Sequence, residues 1–229
     1  MNSKRSLIII LSLTLSVFYS CATTPCRGEN KQTCFKTTPV DKQITILEGS
    51  KLKLIAINSE RNIPSEYKNT PIGKLLQYHD LGRKLSPYKK PEILLGVCMD
   101  DRIQLSLPKN FAYVIRTGGG NLRYNEFQIS YAVSAGSVGY IALIGHDDCG
   151  MVNLAAKKDK IVNGLVDKAG WDKRSAEEQF NACSSMFEIA DPIGFTFLEA
   201  KRLKAKYPKI TVVPMLYKVE DNRLYLITD

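Results

Sequence analysis

Three apolar runs of strand length, each ending in polar residues or a turn, constrain the possible folds of this chain more than any other feature. They are "EILLGVCMD" (92–100), "FAYVIR" (111–116) before "TGGGN", and "GYIALIGH" (139–146). Continuous apolar runs of this length are typical of strands that are buried on both faces of a parallel sheet. A fourth run, "ITVVPMLYKVE" (210–220), contains Pro214, which is awkward in a central strand. We expect "RLYLIT" (223–228) to pair with it.

Helical patterns separate these strands. One precedes the first strand, with apolar residues at Ile72, Leu75, Leu76 and Leu81. Another, "EFQISYAVSAG" (126–136), repeats apolar residues at Phe127, Tyr131, Val133 and Ala135. Three more follow the third strand: "MVNLAAKKDKIVNGLVDKAG", "SAEEQFNACSSMFEIA" and "PIGFTFLEAKRLKAKY". Strands alternating with helices predict an α/β fold, with a mostly parallel central β-sheet flanked by helices, in one domain over residues 42–229.

The N-terminus has a different character. Two basic residues precede a short apolar run, Leu7 to Phe18, and "YSCA" follows it. This order predicts a signal peptide over residues 1–20, because the run is shorter than the roughly 20 residues that a membrane-spanning helix needs. Ser20-Cys21 resembles the end of a bacterial lipoprotein signal, in which the cysteine is lipidated; ordinary cleavage and an uncleaved anchor remain alternatives. We therefore expect a periplasmic protein or a membrane-anchored lipoprotein, with a polar leader or tether over residues 21–41.

The net charge bears on whether the chain binds nucleic acid, and the positions of the other cysteines bear on their roles. The formal net charge is +9, but the basic residues are scattered rather than gathered beside aromatic ones, so a solvated surface is favoured over a nucleic-acid site. Cys26 and Cys34 could close a local disulfide or stay free thiols. Cys183 lies in an apolar helical pattern, which predicts a core residue. Cys98 and Cys149 remain, each near the end of a predicted strand.

A metal site is predicted where these strands end. Cys98 ends the first run, His146 ends the third, and Cys149 follows three residues later in "HDDCG". The carboxyl ends of parallel strands lie at one edge of the sheet, where ligands bind. Two thiolates and one imidazole are a donor set that Zn²⁺ takes in catalytic sites, with the fourth position open. Two alternatives remain: a Cys98–Cys149 disulfide, and a closed structural zinc with His79 or Cys183 as fourth ligand.

An acid–base pair accompanies the predicted ligands. In an extended chain Cys98, Asp100 and Arg102 share one face, and Asp101 faces away. Arginine can clamp a carboxylate with two hydrogen bonds, so Arg102 would hold Asp100, which would orient zinc-bound hydroxide. Asp100 could also occupy the fourth zinc position in a resting state. We predict that the two aspartates of "HDDC" are turn residues.

These motifs resemble a known family. "CMDDR", then "FAYVIRTGGGN", then "GYIALIGHDDCGM" is similar to the pattern of the β-class carbonic anhydrases, C-x-D-x-R followed by H-x-x-C-G. The resemblance extends from about residue 65 to the end. It implies one Zn²⁺ per chain held by Cys98, His146 and Cys149, a catalytic pair of Asp100 and Arg102, reversible hydration of carbon dioxide to bicarbonate, and a homodimer or homotetramer.

The chain also departs from the family pattern. Many members have R-N-A-G where Arg116-Thr117-Gly118-Gly119 stands here, and many plant-type members place a glutamine shortly before the first cysteine, where Gln77 is the nearest upstream. A carbon disulfide or carbonyl sulfide hydrolase, which the same fold hosts, is therefore an alternative. A non-catalytic zinc-binding protein is the alternative of another class. We predict a helix-surface or packing role for His79 rather than proton transfer.

Overall fold

The computed structural model describes residues 52–229. The predicted signal peptide (1–20), the leader (21–41), the Cys26–Cys34 pair and the first ten residues of the predicted domain lie outside the described residues. Within them, the chain forms a six-stranded sheet whose order is β1-β6-β5-β4-β2-β3. The strands are β1 (Lys53–Ala56), β2 (Ile93–Cys98), β3 (Ala112–Thr117), β4 (Tyr140–His146), β5 (Thr211–Lys218) and β6 (Arg223–Thr228).

The sheet is mostly parallel, as predicted. Strands β3, β2, β4 and β5 run parallel to their neighbours, whereas β6 pairs antiparallel with β5 and β1 pairs antiparallel with β6. Pro214 fits because the β5–β6 pairing begins only at Met215, so the missing N–H of the proline removes no bond from that ladder.

Five α-helices accompany the sheet in the described residues. They are α1 (Pro71–His79), α2 (Glu126–Ser134), α3 (Lys158–Ala169), α4 (Lys173–Phe187) and α5 (Pro192–Lys206). None of the helices in this part of the chain is long and apolar enough to cross a membrane. Helix α1 begins where Thr70 accepts a hydrogen bond from the N–H of Gly73, and Asp191 caps α5 in the same way through Gly194.

The core lies on both faces of the parallel strands. On one face Leu95 and Val97 of β2 belong to the same apolar cluster as the buried leucines of α1. On the other face Leu94 and Leu143 pack with residues of α2 and α5. This two-sided burial explains why the sequences of β2 and β4 are apolar at successive positions rather than at alternate ones.

Two details of burial differ from the prediction. In α2 the buried residues are Ile129 and Ala132, whereas Phe127 and Tyr131, on the face that the periodicity selected, are exposed. The helix is apolar on several sides, so spacing alone did not identify the face that meets the sheet. Cys183 is half-buried on α4 rather than fully buried in the core.

Candidate metal centre

The sheet topology creates a crevice where the two predicted motifs meet. From β2 the chain continues to β3 on one side, and the next strand, β4, pairs with β2 on the other side. Where the strand order reverses in this way, a crevice forms at the carboxyl ends of the strands, and α/β sheets of this type bind ligands there. Strands β2 and β4 pair in parallel as far as Val97 and Ile144, so Cys98 and His146, the last residues of the two strands, lie at the same edge.

Cys98, His146 and Cys149 come together at this edge. One ligand atom from each lies within 4.8 Å of the other two, and all three side chains are buried. The two sulfur atoms are 3.9 Å apart. A disulfide requires about 2.05 Å, so the structure does not form the alternative Cys98–Cys149 bridge. Two thiolates on a tetrahedral zinc ion at about 2.3 Å would have sulfur atoms roughly 3.8 Å apart, close to the separation seen here.

The imidazole of His146 also fits a metal ligand. Both of its ring nitrogens are buried, and neither has a hydrogen-bond partner among the described residues. Leaving a buried polar atom unsatisfied costs about 1–3 kcal/mol, so this arrangement calls for another partner. A bound metal ion supplies such a partner for one nitrogen. The donor set and the unpartnered imidazole together could hold a metal ion of the zinc type.

The two thiols act on each other electrostatically. The hydrogen bond with Cys149 lowers the pKa of Cys98, and the nearby His146 lowers it further. The same hydrogen bond, together with burial, raises the pKa of Cys149. The pair therefore releases one proton easily and holds the other, and a bound cation is what would favour two thiolates side by side.

No further histidine or cysteine joins this group as a fourth ligand in the part of the chain that the structure describes. His79 lies elsewhere: its Nδ1 accepts a hydrogen bond from the backbone N–H of Ser106 at 3.0 Å, and its side chain is buried. Burial lowers the pKa of His79. Cys183 is on α4, outside the group. Neither residue can complete a closed structural zinc site in this arrangement.

Asp100 and Arg102 form the predicted pair beside the group. Arg102 donates from Nε to Asp100 Oδ1 at 2.9 Å and from Nη2 to Oδ2 at 2.8 Å. Hydrogen bonding to Arg102 lowers the pKa of Asp100 to about 2, so the carboxylate is ionised at every physiological pH. Its Oδ2 lies 3.9 Å from Nε2 of His146, which places the carboxylate next to the candidate metal-binding group.

The structure gives roles to three residues that the sequence did not single out for the site. Asp148 accepts from Arg102 Nη1 at 2.8 Å, which goes beyond the predicted turn role. Asp147 makes a long-range contact instead of a local turn bond: its Oδ1 accepts from the N–H of Val219, 72 residues away, at 2.8 Å. Arg116 donates to the carbonyls of Cys98 and Ile103 and so braces the loop that carries the pair. The sequence signal that could have indicated a role for Arg116 is its position at the end of the apolar run 111–116.

The turn after β3 closes the back of the crevice. Gly119 and Gly120 both have left-handed backbone angles, φ 65° and 70°. A Cβ on Gly120 would lie 3.4 Å from the carbonyl oxygen of Ile144 and 3.6 Å from the backbone nitrogen of Cys98. The glycine turn therefore packs against β2 and β4, the strands that end in Cys98 and His146.

These features define a class: an α/β protein with a Cys-His-Cys metal-type group at the switch point of a mostly parallel sheet. No protein-family sequence profile and no curated protein sequence matches the chain. Solved structures do resemble it. β-Carbonic anhydrase isoform I from the protozoan Trichomonas vaginalis is 19% identical, with a TM-score of 0.52, and the match covers 64% of this chain and 88% of that one.

Two other solved structures are similar at lower TM-scores. A carbonic anhydrase from Glaciozyma antarctica is 23% identical, with a TM-score of 0.49, over 70% of this chain and 97% of that one. A carbon disulfide hydrolase is 19% identical, with a TM-score of 0.43, over 72% of this chain and 90% of that one. The fold assignment rests on the Trichomonas structure. The chain has the fold of the β-carbonic anhydrases.

Proposed function

We propose that this chain is a carbonic anhydrase that catalyses the zinc-dependent, reversible hydration of carbon dioxide to bicarbonate. The observation that carries the proposal is the buried Cys98–His146–Cys149 group with the Asp100–Arg102 pair clamped beside it. A zinc ion held by that group would act as a Lewis acid and lower the pKa of a bound water to about 7.

Each residue has a defined task in this proposal. Cys98, His146 and Cys149 hold the ion, and three protein ligands leave one coordination position for the reaction. Asp100, kept ionised by Arg102, can only accept hydrogen bonds. It therefore accepts one from the O–H of the attacking nucleophile and turns an oxygen lone pair toward the carbon of carbon dioxide. Such orientation is a large part of enzymatic rate acceleration.

Hydration consumes one water and one carbon dioxide and yields bicarbonate and one proton. The proton has to leave the site in each cycle. His79, the other histidine of the chain, is buried and its Nδ1 is occupied by the N–H of Ser106. We assign the proton to solvent buffer rather than to His79, in keeping with the packing role that the sequence predicted.

The Asp100–Arg102 pair also argues against a non-catalytic zinc protein. A structural zinc site needs four protein ligands and has no use for a carboxylate held by two arginine hydrogen bonds next to the ligands. The Trichomonas vaginalis structure, which has the same fold, is named as a β-carbonic anhydrase, and this supports the same activity here.

Stopped-flow hydration of carbon dioxide by the purified protein, loaded with one zinc per chain, tests the proposal. We expect catalysis between pH 7 and 9, and parallel assays with carbonyl sulfide and carbon disulfide to be slower. Absence of carbon dioxide hydration at full zinc loading would refute the proposal. Turnover of carbonyl sulfide or carbon disulfide alone would move the assignment to the hydrolase alternative.

Assembly and location extend the proposal. We propose a homodimer or homotetramer, an exported protein in the bacterial periplasm, and membrane attachment only through a lipid on Cys21. The export signal that the sequence predicts in residues 1–20 supports the location, and the family resemblance supports the assembly.

A further inference from the structure

The guanidinium of Arg102 contacts two carboxylates rather than one. It donates to both oxygens of Asp100, as described above. It also donates from Nη1 to Asp148 Oδ2 at 2.8 Å and from Nη2 to the backbone oxygen of Asp148 at 2.9 Å. In the described residues, every hydrogen bond of the Arg102 side chain goes to one of these two aspartates.

This arrangement connects the two segments that carry the candidate ligands. Arg102 and Asp148 are 46 residues apart in sequence, and Asp148 directly precedes Cys149. Asp100, in contrast, is only two residues from Arg102 on the same loop. Without the Asp148 carboxylate, Arg102 would keep only the backbone oxygen of residue 148 as a hydrogen-bond partner outside its own loop, and the Arg102 and Asp100 side chains could move together more freely relative to the candidate metal-binding group. Asp148 removes that freedom.

The backbone of Asp148 is suited to this contact. Its φ is 50°, in the left-handed region, which aspartate tolerates better than most residues with a side chain. Both its carboxylate and its carbonyl meet the guanidinium in this conformation. The Asp148 side chain is 85% exposed and that of Arg102 41% exposed, so the ion pair contributes little to folding stability. The ion pair instead holds the Arg102 side chain in position.

We propose that Asp148 is a positioning residue of the candidate active site: it fixes Arg102, and through Arg102 the catalytic carboxylate of Asp100, relative to His146 and Cys149. This inference rests on the proposed function and extends it to a residue whose position between the ligands suggested a turn alone. Small displacements of a reacting group have large kinetic effects. The exposed contact between Asp148 and Arg102 can therefore affect the reaction rate although it contributes little to stability.

Asp148→Gly is the informative substitution, because glycine keeps the left-handed backbone without strain and removes only the carboxylate. We expect kcat for carbon dioxide hydration to fall about tenfold, with KM, zinc content and the thermal unfolding midpoint unchanged. Asp148→Asn keeps an oxygen acceptor and should recover most of the loss. Asp101→Asn, which removes an exposed charge from the turn next to Asp100, is the matched control and should keep the wild-type kcat. Equal losses in Asp101→Asn and Asp148→Gly would overturn the inference.

A double-mutant cycle tests whether Asp148 acts through Arg102. If it does, Asp148→Gly should have no further effect on kcat in an Arg102→Ala background. A second tenfold loss in that background would overturn the positioning role, since Asp148 would then act on the reaction by another route.

A measurement without turnover separates this inference from the proposed function. Hydrogen exchange of the Arg102 Nε–H, followed by ¹⁵N NMR of the arginine side chains and assigned with Arg102→Ala, should be at least tenfold faster in Asp148→Gly than in the wild type. Unchanged exchange would overturn the inference whatever the activity. Faster exchange at Nε, which bonds Asp100, in a protein that does not hydrate carbon dioxide would refute the proposed function and keep the inference that Asp148 fixes the Arg102–Asp100 pair.

Discussion

At the scale of single residues, the proposed chemistry follows from two observations: two cysteine sulfurs lie 3.9 Å apart, and an imidazole has no hydrogen-bond partner among residues 52–229. Each residue type matters because soft thiolates favour zinc over magnesium or calcium, and neutral imidazole completes the set. The arrangement of Arg102 matters because a clamped carboxylate stays ionised and fixed in direction.

The first prediction concerns the metal ligands. Cys98→Ser should lose zinc, because a serine hydroxyl is not ionised at neutral pH and its oxygen is a harder donor than sulfur. We expect zinc affinity to fall at least 100-fold, measured by metal analysis after competition with a chelator. Cys183→Ser, on α4 outside the group, is the matched control and should retain one zinc per chain. Full zinc binding by Cys98→Ser would contradict the ligand assignment.

The candidate ligands could be predicted from the sequence because their signals are local. Cys98 and His146 end apolar runs, and Cys149 lies three residues beyond. The contact between Asp148 and Arg102 could not be predicted, because it depends on how two loops approach each other across 46 residues. For the same reason the sequence indicated no partner for Arg116, whose three acceptors are backbone carbonyls of a neighbouring loop.

At the scale of elements, the packing of α5 against β4 holds the strand that ends in His146. Gly145 immediately precedes this candidate ligand. A Cβ at position 145 would overlap the hydroxyl oxygen of Thr196 on α5 and lie 3.3 Å from the carbonyl oxygen of Pro192. The absence of a side chain at Gly145 is what lets the helix approach the end of the strand.

The second prediction follows from that close approach. Gly145→Ala should lower the free energy of unfolding by about 1–3 kcal/mol, because the added methyl group overpacks a buried contact. Gly139→Ala is the matched control: it precedes the same strand, and a Cβ there meets nothing within 4 Å. Chemical denaturation of both variants measures the effect. Equal stability of the two would show that α5 can shift without cost.

The third prediction concerns Asp80, which follows α1 and accepts from the N–H of Leu224 on β6 at 2.9 Å. Burial raises the pKa of Asp80 from 3.8 to about 6. The folded protein therefore holds a proton that the unfolded chain releases, and the stabilisation present below pH 4 is lost as the pH rises through about 6. His79 lies beside Asp80, with its Nε2 3.9 Å from Oδ1, and Arg223 and Asp221 also influence the pKa of Asp80.

Asp80→Asn removes this titration and keeps the oxygen that binds the N–H of Leu224. We expect the stability of the wild type relative to Asp80→Asn to fall by about 2–3 kcal/mol between pH 4 and pH 7. Urea denaturation at several pH values measures the difference. A difference that does not change with pH would contradict the raised pKa.

Most elements could be predicted because hydrophobic periodicity and strand length are properties of short segments. Strands β2, β3 and β4 and the β5–β6 pair form where the apolar runs predicted them. The buried face of α2 could not be predicted. Ile129 and Ala132 are as apolar as the alternatives, and only the position of the sheet determines that Phe127 is left 80% exposed.

At the scale of the whole molecule, strand order decides whether a site exists. An order in which β2 and β4 were not neighbours would separate Cys98 from His146. Sequence patterns predict where strands form more directly than which strands pair with each other. The parallel pairing of β2 with β4 is what brings the two motifs to one crevice. That pairing is a tertiary property. From the sequence, the rule for parallel sheets predicted only that both strands end at one edge, and the family resemblance implied that the two motifs meet there.

The fourth prediction concerns the N-terminus, which lies outside the described residues. If Cys21 is the acylated residue of a lipoprotein, expression in a bacterial host with a labelled lipid precursor should label the wild type, and Cys21→Ser should remove the label. Cys26→Ser is the control and should remain labelled. An unlabelled wild type would exclude lipidation and leave simple cleavage of the signal peptide or an uncleaved N-terminal anchor.

The central claim is that three residues hold zinc for catalysis and that the Asp100 carboxylate orients the reaction. The most direct test is the rate of carbon dioxide hydration, by stopped flow, of wild type and Asp100→Asn, each with one zinc per chain. We predict rapid hydration by the wild type and a loss of at least 100-fold in kcat for Asp100→Asn with zinc retained. An inactive zinc-loaded wild type, or an Asp100→Asn variant with full activity, would contradict the account.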